Sequence, residues 1–448
     1  MVGWSSPNPA ATCRGCAHSG LINENSSNPP AGSTWRDSFG PGFVVAATGV
    51  GAGDLIAASV AGQRYGLAVL WIVAMGALLK WVLNDGIARW QYATGTTLIA
   101  GWTQRLPRVV GWYFLAYLIL WGFLVAAALA AACGVAARAL WPVLPTAGWA
   151  AVHAIAGLAI VWSGRYRLFE TIMHWLMGSM FVIVVACALP LGPDPWAFFL
   201  GMVIPTAPEG SARFLLGVMG GVGGSVTLLC YGYWIRERNW RGAAAHRRSQ
   251  LDLGVAYLLT GLFGLAMIVI AAEAKPADAS GHALVLALSE RLGELLGPAG
   301  RMSFLIGFWC AVFTSLLGVW QGVPYLFSDT VAQIRRRLDP RIPPPPITLT
   351  HTRAYRGFLL FLALPPLVLH FYQRPLTLVV LYAIAGAFFM PFLASVLLVM
   401  NNRTEWVGGL KNKTWINALL VLSLALFASL AAIEIAAIIA GRPSTGGG

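Results

Sequence analysis

Charged side chains are scarce in this chain, and their scarcity excludes a soluble protein. Only 10% of the 448 residues are charged, whereas 58% are hydrophobic; a soluble domain carries about 25% charged residues. The mean hydropathy is +0.70. Apolar runs of roughly 20 residues, the length that crosses a bilayer as a helix, recur along the chain. The composition therefore predicts an all-α polytopic membrane protein.

Motifs of enzymes and of zinc sites are also missing. The run "GGVGG" at 220–224 is not followed by the Gly-Lys-Ser/Thr of a phosphate-binding loop. Cys13 and Cys16 form a single CxxC near His18, and no second pair completes the four ligands of a zinc site. We therefore expect neither an enzyme nor a tightly bound cofactor.

Apolar runs predict about eleven transmembrane helices. They lie at residues 42–62, 67–87, 109–132, 147–163, 168–190, 214–236, 252–273, 303–329, 356–372, 376–400 and 415–440.

The net charge of +13 predicts orientation rather than nucleic-acid binding. If the N-terminus is cytoplasmic, most of the 30 Lys and Arg residues fall in cytoplasmic segments, as the positive-inside rule requires. We expect a monomer surrounded by lipid in a bacterial inner (plasma) membrane, with its N-terminus in the cytoplasm.

Polar segments divide the chain. Residues 1–40 lack apolar periodicity and predict a disordered cytoplasmic tail. Residues 41–440 form the predicted transporter domain, with a first repeat at 41–190, a second at 213–400 and an extra helix at 415–440. Residues 274–301 predict an outer loop with a short amphipathic helix. The four-proline run at 343–346 lies in a cytoplasmic segment and is too stiff to be helical.

Two apolar runs are interrupted by glycines at corresponding positions. The first span contains "TGVGAGD" (48–54), and the sixth contains "GGVGGS" (220–225). Because the breaks lie five spans apart, the second copy is inverted in the membrane, which is the pattern of an inverted-repeat transporter with its site near the midplane. Close helix packing through small residues is the alternative explanation. Polar residues at both breaks favour unwound binding segments.

Several stretches resemble the Nramp family of divalent-metal transporters, which has a LeuT-type 5+5 inverted repeat with discontinuous helices 1 and 6. They are "GPGFVVAATGVGAGDLIAASVAGQRYGLAVLW" (40–71), "LNDGIARWQYATGTTL" (83–98) and "MPFLASVLLVMNNR" (390–403). The resemblance extends over roughly residues 38–440 and implies the same fold here.

The family's metal-binding motifs are replaced in this chain. Alignment on "GPGF" (40–43) places Gly51–Ala52–Gly53–Asp54 over the family's Asp-Pro-Gly-Asn, and Gly224–Ser225–Val226 over its Met-Pro-His. The ligand aspartate thus becomes Gly51, and neither thioether nor imidazole remains. The resemblance therefore implies a divergent branch whose proton route is also in doubt, because the third span has no acidic residue and the fourth offers only His153.

The groups left at the two breaks carry oxygen. They are the side chains of Asp54, Thr48, Ser225 and Thr227 and the backbone around Gly49, Gly51, Gly53, Val222, Gly223 and Gly224. Oxygen ligands suit hard cations such as Mg²⁺ or Mn²⁺. Without the soft sulfur that helps select transition metals, preference is displaced towards these ions. The missing side chains at Gly51 and Gly224 predict an enlarged cavity.

Other intramembrane polar residues are candidates for the transport pathway. They are Tyr231, Gln321, Asp329, Lys80, Asp85, Glu170 and His174, with Thr314 and Ser315 as possible lining residues. Lys80 is expected to snorkel or to pair structurally, with Asp85 or Asp54 as partners. Near the cytoplasmic end, Glu170 and His174 share a helix face and predict an inner gate or a structural pair.

Three functions remain open from the sequence. The first is a secondary transporter of divalent cations by alternating access, which Asp54 favours. The second is a carrier of a small organic solute, which Lys80 and the missing ligand aspartate favour. The third is a non-transporting sensor, although the preserved glycine breaks argue against it.

Overall fold

Helices make up the regular structure of the described residues. The computed structural model describes residues 40–439 apart from 209–210, 212–213, 216–217, 220–222, 241–242, 277–281, 347 and 373–374. The predicted tail, with Cys13 and Cys16, lies outside this part of the chain.

In the described part of the chain, eight bounded α-helices lie before the segment that carries the second glycine break. They are α1 (Pro41–Gly49), α2 (Ala52–Tyr65), α3 (Trp71–Thr94), α4 (Leu98–Arg105), α5 (Arg108–Leu140), α6 (Thr146–Trp162), α7 (Tyr166–Ala188) and α8 (Pro195–Val203).

A 3₁₀ segment, Val226–Cys230, follows the break and leads into the second half. The helices there are α9 (Tyr231–Glu237), α10 (Ala243–Ala274), α11 (His282–Leu338), α12 (Arg353–Ala363), α13 (Pro375–Met400), α14 (Thr404–Val407) and α15 (Thr414–Ile439).

Every predicted span coincides at least partly with helical structure, but helix length alone does not establish eleven crossings. Five described helices are long and apolar enough to cross a bilayer by themselves, and one bent pair near the C-terminus raises the number to six. Several other spans are shorter or broken, as α1 and α2 are. The number of crossings therefore stays a prediction.

The first predicted span is discontinuous. α1 ends at Gly49 and α2 begins at Ala52, so only Val50 and Gly51 are unwound. At the sixth span the backbone turns through Gly223 and Gly224, whose φ angles are +82° and +81°. Glycine tolerates these angles without the steric cost that a Cβ brings.

α10 supports both halves of the broken first span, because α1 and α2 each pack against it. The contacts are close at two glycines: a methyl group would lie 2.5 Å from the Asp252 carbonyl oxygen at Gly42 and 2.4 Å from the Ile268 carbonyl oxygen at Gly62. On the other side of the site, α11 packs along the alanine-rich α5. The broken span therefore lies between α10 and α11.

Large apolar side chains on the outer surface fit a lipid environment. Trp175 and Val182 on α7 are 75% and 65% exposed, and Leu258 on α10 is 62% exposed. Such exposed apolar surface would favour aggregation in water, but it suits contact with the acyl chains of a bilayer. This surface agrees with an integral membrane protein.

Both polar inserts have the expected local structure where they are described. A helix begins at His282 and bends at Gly297, where φ is +77°. The prolines at 343–346 are not helical. Their placement outside and inside the cell stays a prediction.

The contact between the two breaks predicts the effect of Gly49→Ala. A methyl group at Gly49 would lie 2.5 Å from the Gly223 carbonyl carbon, so we expect a loss of about 1–3 kcal/mol of stability through overpacking. Gly178→Ala is the matched control, because Gly178 lies on α7 with no atom within 4 Å of the added methyl. Melting in detergent measures both. If Gly49→Ala melted at the same temperature as the wild type, the close contact between Gly49 and Gly223 would be contradicted.

Candidate functional site

The two glycine breaks touch each other inside the bundle. Besides the contact between Gly49 and Gly223, a methyl group on Gly224 would lie 3.2 Å from the Gly49 Cα. Unwound backbone in a membrane protein is tolerated where it is buried in protein or faces a cavity. The breaks therefore form one junction in which both unwound segments can face the same ligand.

A small cavity of about 20 Å³ lies at this junction. Five predicted site residues line it: Thr48, Gly49, Gly51, Ser225 and Thr227. Ser315 and Trp121 add a hydroxyl and an indole, and Val125, Leu129 and Val319 complete the wall. A volume of this size holds about one water-sized species.

Carbonyl groups around the first break are already hydrogen-bonded within the chain. The Ser315 hydroxyl on α11 lies 3.0 Å from the carbonyl oxygens of both Thr48 and Val50, and the Gly51 N–H donates to the Gly49 carbonyl at 3.1 Å. A carbonyl oxygen has two lone pairs, so one such bond leaves a second acceptor position. Ser315 therefore stabilises the break without using up its oxygen atoms.

Lys80 reaches the second break from α3. Its side chain is 0% exposed, and Nζ donates a hydrogen bond to the Gly224 carbonyl. The expectation that this lysine snorkels to the interface is therefore wrong. Burial of an ammonium is costly unless it is hydrogen-bonded or paired, and the carbonyl left unsatisfied by the break supplies one such bond.

Enlargement of the cavity at Gly51 and Gly224 was expected from the sequence, and the structure contradicts it. A methyl group at Gly51 would lie 3.0 Å from the Ser315 Oγ, and one at Gly224 would lie 2.5 Å from the Thr227 Oγ1. The hydroxyl groups of Ser315 and Thr227 therefore occupy the space beside these two glycines. The cavity therefore suits a bare ion better than a large solute.

Gly53 and Asp54 fall in the first turn of α2 because that helix begins at Ala52. Gly53 is partly buried and is not among the residues that line the cavity. The Asp54 side chain and Val222 lie outside the described part of the structure. A carboxylate in a first helical turn interacts favourably with the helix dipole, so the backbone position alone is compatible with capping and with ligand binding.

Tyr231 does not line the cavity but belongs to a polar cluster at the start of α1. Its hydroxyl lies 2.6 Å from the Ser249 Oγ and donates to the Asp252 Oδ2 at 3.1 Å. The two Asp252 oxygens also accept from the backbone N–H groups of Gly40 at 3.2 Å and Gly42 at 2.6 Å. We call this arrangement the Asp252 latch, because it fastens the N-terminus of α1 to α10.

The sequence analysis missed Asp252 as a functional candidate. The predicted seventh span starts at this residue, so its charge fitted an interfacial position. In the structure it is 0% exposed. The signal available in the sequence was a carboxylate at the first residue of an apolar run, with Ser249 one helical turn before it.

Glu170 and His174 also contact the beginning of α1, although not as a side-chain pair. Glu170 forms an ion pair with Arg238 at 2.9 Å, and a methyl group on Gly40 would lie 2.7 Å from its Oε1. The His174 ring stacks on Phe43 at 5.2 Å between ring centroids. Both residues therefore lie beside the start of α1, and their role as an inner gate stays a prediction.

Other pathway candidates lie apart from the junction cavity. Asp85 forms an ion pair with Arg89 at 2.8 Å and contacts the His246 ring at 3.3 Å. Asp329 accepts from the hydroxyls of Thr97 and Tyr233, each at 2.6 Å.

Gln321 accepts from the Trp234 indole at 2.6 Å. It lines a separate cavity of about 90 Å³ with Glu237, Tyr325 and His351.

His153 is held as a neutral ring at the outer part of α6. Its Nε2 accepts from the Trp309 indole at 2.8 Å, so Nδ1 carries the proton and donates to the Trp149 carbonyl at 2.7 Å. An indole N–H can only donate, which determines this tautomer. Neither ring nitrogen has the freedom expected of a proton carrier in this conformation.

Comparison with known proteins identifies the family. The model of the family described as natural resistance-associated macrophage protein-like (Nramp) matches residues 42–437. The chain belongs to the Nramp family. This match includes both glycine breaks and every helix that lines the junction cavity.

Curated relatives of this Nramp protein are named divalent metal cation transporters. The Bacillus subtilis protein MntH is 24% identical over 84% of this chain and 87% of its own length. The Chromohalobacter salexigens MntH is 26% identical over 55% of this chain, and the match spans 59% of that relative. These relatives are transporters, which confirms the prediction of a transporter rather than an enzyme.

Solved structures confirm the predicted fold. A mutant of the Eremococcus coleocola manganese transporter covers 93% of this chain with a TM-score of 0.71 at 16% identity. MhsT, solved with L-phenylalanine, covers 87% with a TM-score of 0.56. The Nramp and LeuT-type architecture is therefore shown, while the domain boundaries stay predictions.

Substitution of Asp252 tests the latch at the start of α1. In Asp252→Ala the N–H groups of Gly40 and Gly42 lose their acceptor, and an unsatisfied buried polar group costs about 1–3 kcal/mol. We expect hydrogen exchange in α1 to become about tenfold faster or more. Peptide-resolved exchange in detergent is the measurement.

Asp194→Ala is the control for the latch. Asp194 also accepts from backbone N–H groups at a helix start, those of Trp196 and Ala197, but it is exposed and caps α8. Its substitution should leave exchange in α1 unchanged. Identical exchange in wild type and Asp252→Ala would show that the latch does not hold α1.

Proposed function

We propose that this protein is a secondary transporter that moves divalent metal cations across the membrane by alternating access. The main observation behind this proposal is the junction of the two breaks, where Thr48, Ser225 and Thr227 surround a cavity the size of one water molecule. Family membership supports the proposal, because its curated relatives are named for divalent metal cation transport. The N-terminus would face the cytoplasm of a bacterial cell.

Oxygen atoms supply the ligands in this proposal. The cavity wall contains hydroxyls and unwound backbone, and neither the thioether of Met nor the imidazole of His is among its side chains. Among the described residues, no group of three His, Cys, Asp or Glu is placed to hold a metal. Hard cations accept such oxygen sets. Mn²⁺ and Mg²⁺ are therefore the proposed substrates, with weak discrimination between them.

The volume of the cavity favours an ion over an organic solute. About 20 Å³ admits a dehydrated or nearly dehydrated cation. Ser315 and Thr227 fill the space beside Gly51 and Gly224, so a larger ligand would require these segments to separate. A cation needs no such rearrangement to enter the described conformation.

The Asp252 latch and the Glu170–Arg238 ion pair provide a physical basis for alternating access. The latch must break for this half-helix to move away from α10. The ion pair lies against Gly40, at the start of the same half-helix. In our proposal the described state has its inner gate closed. Opening would swing α1 about the unwound residues Val50 and Gly51.

One alternative function has its own support. The buried Lys80 ammonium and the Trp121 indole are both donors, and the Trp121 Nε1 has no hydrogen-bond partner among the described residues. Donors of this kind suit the acceptor oxygens of a small organic solute better than a cation. A carrier of such a solute is therefore the second candidate.

Uptake into proteoliposomes tests the proposed function. We expect Mn²⁺ to accumulate and excess Mg²⁺ to compete with it, because an oxygen-only site distinguishes these ions poorly. Thr227→Val removes one hydroxyl from the cavity and should reduce Mn²⁺ uptake about tenfold or more. Thr171→Val, on the exposed face of α7, is the matched control and should transport normally.

Asp54→Ala in the same assay tests the contribution of the carboxylate. We expect a similar or greater loss, since an intramembrane carboxylate beside a binding site is functional by default. Unchanged flux would place the site away from Asp54. Absence of flux with Mn²⁺, Mg²⁺ and Ca²⁺ would contradict cation transport, and calorimetric binding of an organic solute would then support the second candidate.

A further inference from the structure

Lys80 lies beside the second glycine break. Its ammonium donates to the Gly224 carbonyl. Gly224 belongs to the unwound segment that touches Gly49, and it is followed directly by the cavity residue Ser225. The lysine therefore contacts the backbone of the segment that carries the second break.

Helix packing holds the lysine stem in this position. Lys80 comes from α3 and is fully buried, and its Cβ lies 3.8 Å from the methyl position of Gly223. The Tyr257 ring of α10 would lie 2.7 Å from the same methyl position. Gly223 lies between α3 and α10, and the carbonyl of the next residue, Gly224, accepts a hydrogen bond from the Lys80 ammonium.

Charge at this position has a direct consequence for a metal ion. Two positive charges a few ångströms apart in a partly buried site repel each other far more than they would in water, because the effective dielectric constant is lower there. A divalent cation at the junction would therefore be repelled strongly by an ammonium at the Gly224 carbonyl. Because the ammonium and the cation are both positively charged, binding of the cation to this oxygen is favoured when the ammonium moves away.

We propose that Lys80 is a built-in competitor of the transported cation for the Gly224 carbonyl. This inference rests on the proposed function. In the cation-free carrier the ammonium satisfies the carbonyl that unwinding has freed, and metal binding displaces it. Lys80 thus lowers the affinity of the site for the cation, because the ammonium must be displaced each time a cation binds.

A structural role for Lys80 predicts the opposite change. If the lysine only stabilised the break, its replacement would loosen the junction and weaken metal binding. If it competes, replacement by an uncharged side chain of similar length strengthens binding. The direction of the change in affinity therefore separates the two roles.

The test compares Lys80→Met with Lys80→Arg in the full-length protein. Isothermal titration calorimetry in detergent gives the Mn²⁺ and Mg²⁺ dissociation constants. We expect Lys80→Met to bind Mn²⁺ at least about tenfold more tightly than wild type, because a positive charge has been removed. Lys80→Arg keeps the charge and should remain near wild type. Lys413→Met, which removes an exposed lysine, should have no effect.

A second neutral variant, Lys80→Gln, keeps the test decisive if Lys80→Met does not fold. Lys80→Gln can still donate to the Gly224 carbonyl through its amide, so it keeps the hydrogen bond while removing the charge. Tighter binding by either folded neutral variant supports competition. Unchanged or weaker binding by both would overturn it while leaving the proposed transport function intact, provided that wild type binds Mn²⁺. If wild type and all variants bind neither ion, the proposed function fails and the competition fails with it.

Discussion

Unwound backbone inside a membrane must find hydrogen-bond partners within the protein, and the arrangement at the junction follows from this constraint. Breaking the first span at Val50–Gly51 frees carbonyls that Ser315 reaches from α11. Breaking the sixth span leaves the Gly224 carbonyl, which Lys80 reaches from α3. Two side chains from neighbouring helices thus support the two breaks, and a small oxygen-lined space remains between them.

The sequence predicts the fold well because its main signals are local. Apolar runs locate the spans, and the glycine interruptions five spans apart indicate an inverted repeat. Family-like stretches at 40–71 and 390–403 then imply the LeuT-type architecture, which the solved relatives confirm. Thr48, Ser225 and Thr227 meet around one cavity because both breaks are polar on the side that faces the other.

Predictions that depended on contacts between distant helices were less successful. Lys80 was expected either to snorkel to the interface or to pair with Asp85 or Asp54, whereas in the structure it is buried and its ammonium donates to the Gly224 carbonyl. Cavity enlargement at Gly51 and Gly224 was inferred from missing side chains, whereas Ser315 and Thr227 fill the space. Asp252 was overlooked because its partners, the N–H groups of Gly40 and Gly42, are more than 200 positions away. Such pairings are properties of the folded bundle.

The central claim is that the cation binds between the two breaks on oxygen ligands alone. Anomalous diffraction at the manganese edge, from crystals grown with Mn²⁺, tests it most directly. We expect one dominant peak in the junction cavity, about 2–2.6 Å from oxygen atoms of the two broken segments. A dominant peak on a distant cluster, such as that around Asp85 or Asp329, or no peak with saturating Mn²⁺, would contradict it.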